Sequence, residues 1–252
     1  MISLLFLVLY ILCSLGDCLW ADKRSRLKNG TLEEASVKSF YLKLYTRRFR
    51  VLKFTLMPLL LCFYLASSYW GWPFAISFLP KPPLIYIVLA LLFGWLGDIL
   101  LELSSRYFAL GLASFLLGHI FYCLAFFLSA GAGSIFSADS VMPFILLGLL
   151  AALCVLYSVL MIRHLLFLPQ TSKLRLPLVL YLFMLILLVF SSGIFLFMTR
   201  SAGALICLIG ALLFITSDSI LAFRLFKNGK ERWIMPTYTL AQLAIILGML
   251  IG

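Results

Sequence analysis

The sequence contains eight separate runs of about 20 predominantly apolar residues, and few folds can accommodate them. Each run is long enough for an α-helix to cross the hydrocarbon core of a bilayer. The runs are continuous and do not alternate between apolar and polar residues, which argues against membrane β-strands. We therefore predict an all-α integral membrane protein, with residues 1–252 forming a single polytopic membrane domain. The predicted helices cover residues 2–20, 51–69, 83–103, 107–130, 141–162, 174–198, 201–223 and 233–251.

The composition supports this class. Hydrophobic residues make up 64% of the chain and charged residues 12%, against about 45–50% and about 25% in soluble domains. Too little chain remains between the runs for a separate soluble domain. The six cysteines lie in or beside apolar runs without a CxxC motif, so we interpret them as small hydrophobic residues and not as a disulfide framework. The first run has no basic segment before it, unlike a cleavable signal peptide.

The positive charge is concentrated in one connection. The net charge is +11, and nine of the 20 Lys and Arg residues lie between Lys23 and Arg50. The odd-numbered connections carry nine, one, three and four basic residues, and the even-numbered ones carry one, none and one. The positive-inside rule then predicts cytoplasmic odd connections and both termini on the opposite side, in the inner membrane if the cell is bacterial. The charge indicates topology and anionic headgroups, not nucleic acid. Residues 37–50 mix aromatic and basic residues and could form an interfacial helix.

Two short matches indicate an internal duplication. Pro58 in MPLLLCFYL resembles Pro177 in LPLVLYLFM, 119 residues later, and Asp98 in GWLGDILL resembles Asp218 in FITSDSIL, 120 residues later. Helices four apart in the chain run in the same direction. The eight helices could therefore form two parallel four-helix halves.

Acidic residues inside apolar runs are the first candidates for function, because burying a charge in a bilayer is costly. Asp98 and Asp218 each lie about five residues from the predicted cytoplasmic end of their helix, roughly 8 Å inside the same leaflet. Desolvation and mutual repulsion would favour one protonated acid and one ionised base. Alternatively, each could hydrogen-bond a neighbouring helix. Glu102 is a secondary candidate, since it could pair with Arg106. Asp17 is interpreted as a snorkelling or capping residue.

Other polar residues could complete a site near these acids. His119 and Tyr122 share a face of the fourth helix, although a lone membrane histidine can also be purely structural. Tyr238 and Gln242 share a face of the eighth helix, and the membrane-interface aromatic belt is the alternative for Tyr238. Lys53 and Arg106 could bind a phosphate at headgroup depth. Two histidines cannot form a three-His zinc site, and no GxSxG or Walker A motif is present, so no metal or cofactor is expected.

An ordered set of motifs resembles the YhhN-like family of membrane proteins, which includes the lysoplasmalogenases. The matching segments are LKFTLMPLLL (52–61), GWLGDILL (94–101), FALGLASFLLGHIFY (108–122), LPLVLYLFM (176–184), GALLFITSDSILAF (210–223) and YTLAQLAIILG (238–248). The order GD, GHxxY, SD and YxxxQ carries the resemblance. Phe54 follows Lys53 where the family usually has proline, which puts the local geometry there in doubt.

The resemblance implies a hydrolase that splits the vinyl-ether bond of a lysoplasmalogen, a lysophospholipid, into a fatty aldehyde and a glycerophospho-ethanolamine or -choline. Asp98 and Asp218 would share the roles of acid and base, in either order. Lys53 and Arg106 would bind the headgroup. Substrate and water would be oriented by His119, Tyr122, Tyr181, Ser217, Tyr238 and Gln242.

Two other readings remain open from the residues. A lysolipid transporter or sensor could use the same polar groups without breaking a bond. An intramembrane aspartyl protease also uses two membrane aspartates. However, its YD, GxGD and PAL signatures are not found in this sequence.

Overall fold

The computed structural model describes residues 2–28, 35–70, 84–103, 105–131, 142–163, 175–227 and 233–251, and they form helices without strands. This confirms the predicted all-α class. The helices are α1 (Ile2–Lys28), α2 (Ala35–Trp70), α3 (Leu84–Leu103), α4 (Phe108–Ser129), α5 (Met142–Met161), α6 (Arg175–Thr199), α7 (Ala202–Lys227) and α8 (Ile234–Ile251). A short 3-10 turn, Ser105–Tyr107, precedes α4.

Seven of the eight helices are long and apolar enough to cross a membrane within the described residues. The prediction of eight spans is therefore close. The helix outside this count is α5 (Met142–Met161), for which the described apolar stretch is Leu147–Met161. Many large apolar side chains are exposed on the outside of the helices, among them Leu5, Leu12 and Leu19 on α1. Such a surface suits lipid and would be costly in water.

The first two helices extend beyond the predicted spans. α1 continues to Lys28 and α2 begins at Ala35. Residues 37–50 are helical, but they belong to α2 and do not form a separate helix as the sequence suggested. Pro58 lies inside α2, where a membrane helix tolerates it more readily than a soluble one does.

Helix packing follows the pattern expected of two parallel halves. In the first half α1 packs on α2, α2 on α3 and α3 on α4; in the second, α5 packs on α6, α6 on α7 and α7 on α8. Across the halves, α4 packs on α6 and α2 packs on α8. Each contact in the first half therefore has a corresponding contact in the second half, and the α4–α6 contact corresponds to the α2–α8 contact. The N-terminal helix also packs on α8 and so reaches the second half.

Glycines allow close approach within each half. A Cβ atom on Gly97 of α3 would lie 2.7 Å from the ring of Phe115 on α4. A Cβ atom on Gly248 of α8 would lie 2.5 Å from the sulfur of Cys207 on α7. Real Cβ atoms do not approach other atoms this closely, so both helix pairs need glycine at these positions.

A tight hairpin joins α6 to α7. Arg200 has a positive φ of 50°, and the Ser201 hydroxyl accepts a hydrogen bond of 3.1 Å from the Ala204 amide, which caps the first turn of α7. The two helices therefore run antiparallel from this point. Tyr181 lies about 27 Å before the hairpin and Asp218 about 24 Å after it, at 1.5 Å per residue, so the two side chains come to a similar level.

Candidate functional site

Asp98 lies near the C-terminal end of α3 and is 2% exposed. Its carboxyl group accepts a hydrogen bond of 2.8 Å from the Tyr238 hydroxyl of α8. The Lys53 ammonium of α2 lies 3.5 Å from its other oxygen. A buried carboxylate is tolerated when it is paired and hydrogen-bonded, and Asp98 has both kinds of partner. Three helices therefore converge on this group.

Asp218 has a different environment on α7. Its Oδ2 atom accepts a hydrogen bond of 2.6 Å from the Tyr181 hydroxyl of α6, and the side chain is only partly buried. Beside it on α7, the Ser219 hydroxyl lies 2.8 Å from the Tyr157 hydroxyl of α5. Among the residues that the structure describes, no cation pairs with Asp218. Within the described residues it therefore has a phenol partner like that of Asp98 but no ammonium group like that of Lys53.

His119 is a buried residue of α4 whose ring contacts Tyr181, the tyrosine that binds Asp218. Its Nδ1 atom is 2.7 Å from the Phe115 carbonyl oxygen, and because a carbonyl can only accept, Nδ1 carries the hydrogen. Nε2 is then a lone-pair acceptor, and it is buried without a partner within the described part of the chain. An unpartnered buried acceptor is rare in folded proteins. It indicates a position for a water molecule or a ligand hydroxyl.

Ring contacts connect the surroundings of the two aspartates. The His119 ring makes edge contacts with Tyr181 at 5.6 Å and with Phe214 at 5.1 Å between centroids. Phe214 in turn makes an edge contact with Tyr238 at 5.7 Å. No hydrogen bond joins Asp98 and Asp218 directly in the described structure. The two carboxyl groups are instead connected through a chain of side-chain contacts.

Two of the predicted orienting residues bind each other. The Tyr122 hydroxyl of α4 donates a hydrogen bond of 2.6 Å to Gln242 Oε1 of α8. Both side chains are buried, and Gly94 leaves room for the amide nitrogen of Gln242, which lies 3.5 Å from the position of a Cβ atom there. Tyr122 and Gln242 are 120 residues apart, the same spacing as Asp98 and Asp218. This bond therefore joins corresponding positions of the two halves.

The remaining predicted residues differ in how close they lie to the carboxyl groups. Ser217 donates its hydrogen bond, 3.2 Å long, to the Ile234 carbonyl of α8, so this contact holds α7 against α8. Glu102 is partly buried and interacts electrostatically with Asp98. Arg106 is exposed in the turn before α4. Lys53 is thus the predicted headgroup residue that directly contacts a candidate carboxylate.

The aromatic-belt alternative for Tyr238 is wrong. Its side chain is 5% exposed and its hydroxyl is bound to Asp98, whereas a belt tyrosine directs its hydroxyl to the interface. The sequence contained a usable signal, because Tyr238 lies four residues after the start of α8 and Asp98 five residues before the end of α3, and both ends are on the same predicted side of the membrane. Depth alone cannot show which way a side chain points.

The snorkelling or capping interpretation of Asp17 is also wrong. Its side chain is fully buried, and both carboxyl oxygens lack a partner among the described residues. The misjudgement arose because the sequence placed the end of the helix near residue 20, whereas α1 continues to Lys28. Tyr10, two turns earlier, was not singled out from the sequence. Its hydroxyl donates a hydrogen bond of 2.9 Å to the Thr239 carbonyl of α8.

Fold and site together define a helical membrane protein with two carboxyl groups that are each bound by a tyrosine of another helix. The model of the YhhN family matches residues 49–249. The chain therefore belongs to the YhhN family, as its motifs suggested. Searches of curated proteins and of solved structures gave no match. The matched range begins in α2, so α1 with Tyr10 and Asp17 lies outside it.

Proposed function

We propose that this protein hydrolyses the vinyl-ether bond of lysoplasmalogens within the membrane. The observation that carries the proposal is the pair of carboxyl groups, Asp98 and Asp218, each bound by a tyrosine of another helix and connected through aromatic contacts. Vinyl ethers are cleaved by proton transfer to carbon followed by addition of water. That chemistry requires one proton donor and one group that stabilises the resulting cation. The chain belongs to the YhhN family, and its motifs resemble those of the lysoplasmalogenases in that family. Both observations support the same activity.

The surroundings of the two carboxyl groups suggest which role each has. Lys53 lies beside Asp98, and an adjacent ammonium favours the ionised form of a carboxyl group. Asp98 is therefore assigned as the base. Asp218 binds a neutral phenol through Oδ2, which leaves Oδ1 to carry a proton. It is assigned as the general acid.

The proposed reaction has three steps. The Asp218 carboxylic acid transfers its proton to the second alkenyl carbon, which leaves an oxocarbenium ion centred on the carbon bonded to oxygen. Water attacks that carbon and gives a proton to Asp98, forming a hemiacetal. The hemiacetal collapses as Asp98 protonates the departing glycerol oxygen and the hemiacetal hydroxyl returns its proton to Asp218. The products are a fatty aldehyde and a glycerophospho-alcohol, and both carboxyl groups regain their starting states.

His119 has the features needed to orient the attacking water. Its Nε2 atom is buried and has no partner among the described residues, and its ring contacts the tyrosine that binds Asp218. The Nδ1 hydrogen bond to Phe115 fixes the tautomer. A water that donates one hydrogen to Nε2 is held with its oxygen lone pair free for attack. His119 is proposed to position water, not to replace Asp98 as the base.

A lysolipid transporter or sensor is the second candidate. The matched packing of the two halves is compatible with the parallel repeats of some transporters. The two functions differ in their product. A transporter binds and releases an intact lipid, whereas the proposed hydrolase releases an aldehyde. The predicted orientation, with the odd connections in the cytoplasm, is part of this proposal.

The deciding experiment incubates the purified protein with 1-alkenyl, 1-acyl and 1-alkyl lysophospholipids and assays free aldehyde. The proposal expects aldehyde from the alkenyl lipid and no cleavage of the other two. The matched control is the Asp218→Asn variant, in which the acid is replaced by an isosteric amide. Binding of the alkenyl lipid without aldehyde would refute hydrolysis and support the transporter.

A further inference from the structure

Asp17 is the buried acid that the proposed reaction does not use. It is fully buried, and neither of its carboxyl oxygens has a partner among the described residues. Burying a carboxyl group without a hydrogen bond costs several kcal/mol. The fold keeps it there nevertheless, on a helix that lies outside the range matched to the family.

Asp17 faces the site and not the lipid. Tyr10 and Asp17 are seven residues apart and thus share one face of α1, and the Tyr10 hydroxyl binds the backbone of α8 at Thr239. On the adjoining side, a Cβ atom on Gly16 would lie 3.3 Å from Leu52 of α2, next to Lys53. Asp17 therefore lies where α1 meets α2 and α8.

Asp17 has both acidic and basic neighbours where α1 meets α2 and α8. Asp17 interacts with Lys53 and with Asp98, and Lys53 already forms an ion pair with Asp98. Glu102 adds a further acid within electrostatic range. Among the described residues, Asp17 and Asp98 are two carboxyl groups near one ammonium group, and that ammonium group is already paired with Asp98. A ligand cation that also donates hydrogen bonds would satisfy both the charge and the unpartnered oxygens of Asp17.

Depth identifies the part of the lipid that would supply this cation. Asp17 and Lys53 each lie two residues from the end of the apolar stretch of their helix (Ile2–Leu19 and Val51–Tyr69), about 3 Å inside it. Asp98 lies five residues from the end of α3, about 7.5 Å inside. A lysophospholipid that presents the bond beside its glycerol to Asp98 would leave its phosphate and amine nearer the interface. Lys53 suits the phosphate.

We propose that Asp17 binds the primary ammonium of an ethanolamine headgroup and thereby makes the protein prefer ethanolamine over choline lysolipids. A primary ammonium donates three hydrogen bonds, whereas the trimethylammonium of choline donates none. The preference therefore comes from hydrogen bonding to Asp17 and not from charge alone. This inference rests on the proposed lysolipid specificity of the site but not on bond cleavage.

The test measures binding of saturated 1-alkyl lysophospholipids, which contain no vinyl ether, by calorimetry with the full-length protein in detergent. The expected result is ethanolamine binding about tenfold tighter than choline binding, since one charge-assisted interaction is lost. Asp17→Asn should remove that preference by weakening ethanolamine binding alone. Cys18→Ala, next to it on α1, is the matched control and should keep the preference. Equal affinities in the unmodified protein, or an unchanged preference in Asp17→Asn, would overturn the proposal.

A second measurement needs no variant, in case Asp17→Asn does not fold. The unmodified protein is titrated with ethanolamine, monomethyl, dimethyl and trimethyl headgroups. The proposal expects the largest fall in affinity at the last step, where the final N–H is lost, and a flat series contradicts it. Ethanolamine-selective binding without aldehyde release from the alkenyl lipid would refute the proposed hydrolysis but leave this inference intact. Aldehyde release with no headgroup preference would refute this inference but leave the proposed hydrolysis intact.

Discussion

The two halves of the bundle present the same residue type in two unlike environments. Asp98 is almost fully buried, binds Tyr238 and has Lys53 beside it. Asp218, which corresponds to it 120 residues later, is only partly buried, binds Tyr181 and has no cation partner in the described structure. In both cases a phenol from another helix fixes one carboxyl oxygen. The two groups differ in how far they are buried and, among the described residues, in the charge beside them.

That difference shows how a duplicated scaffold could supply both an acid and a base. Two identical carboxyl groups in identical surroundings have no reason to hold different protonation states. Among the described residues, one ammonium group contacts one of the two aspartates, and it favours the ionised form of that group. The asymmetry, more than the presence of two aspartates, is what the proposed mechanism needs.

The largest effects are expected from removing either carboxyl group. Asp98→Asn and Asp218→Asn should each lower aldehyde release by at least about 1,000-fold, since each removes one partner of the acid–base pair. Rates are measured with an aldehyde-coupled assay at saturating alkenyl lipid. Thr216→Val, an exposed position on α7 whose hydroxyl binds its own helix, serves as the control. Full turnover in either aspartate variant would remove that residue from the mechanism.

The two aspartate variants should lose similar activity but different amounts of stability. Asp98→Asn leaves the Lys53 ammonium without its ion-pair partner and should lower the free energy of unfolding by about 3–5 kcal/mol. Asp218→Asn affects one hydrogen bond and should cost about 1–2 kcal/mol. Denaturant unfolding in detergent measures both.

A compensating change sharpens that comparison. Adding Lys53→Met to Asp98→Asn should recover part of the lost stability, because the unpaired charge is removed. An equal loss in the two single variants, with no recovery in the double variant, would mean that the Lys53 ion pair does not distinguish the two environments.

His119 should affect turnover but not binding. His119→Phe can keep the ring contacts with Tyr181 and Phe214 while removing Nε2, so kcat should fall by about 100-fold with little change in KM, within the range for a group that assists proton transfer. Steady-state kinetics with the alkenyl lipid measure both constants. Ser158→Ala on α5, whose hydroxyl binds its own helix, is the control. A rise in KM at constant kcat would instead make His119 a lipid-binding residue.

The smallest effects are expected from replacing Tyr238 or Tyr181, and the two replacements should differ in their effect. Tyr238 donates to the carboxyl group assigned as ionised, and loss of such a bond costs about 1.5–3 kcal/mol, or roughly 10–100-fold in rate. Tyr181 donates to the group assigned as neutral, so Tyr181→Phe should cost less, about 0.5–1.5 kcal/mol. Comparing kcat/KM for the two phenylalanine variants tests the assignment. A larger loss at Tyr181 would reverse the roles of the aspartates.

The sequence predicted the helices well, because a continuous apolar run has few alternatives to a membrane helix. The prediction was least accurate where polarity did not mark the helix end, as in α1, which continues through charged residues to Lys28. That error led directly to the wrong interpretation of Asp17.

The acidic residues of the site were also predictable, since charges in apolar runs are conspicuous. Their partners were less so. Tyr238 could have been a belt residue, and nothing in the sequence placed Phe214 against His119. Such contacts depend on how each helix is rotated about its axis, and that rotation is set by tertiary packing. Gly97 against Phe115 is an example, because the missing Cβ matters only once the two helices meet.

Infrared difference spectroscopy in detergent tests the assigned protonation states most directly. A protonated carboxyl group gives a carbonyl-stretch band, distinct from carboxylate absorption, that shifts in heavy water. The spectrum of Asp218→Asn subtracted from that of the unmodified protein should contain this band, and the corresponding subtraction for Asp98→Asn should contain carboxylate bands instead. A protonated-carboxyl band that disappears in Asp98→Asn and persists in Asp218→Asn would contradict the account.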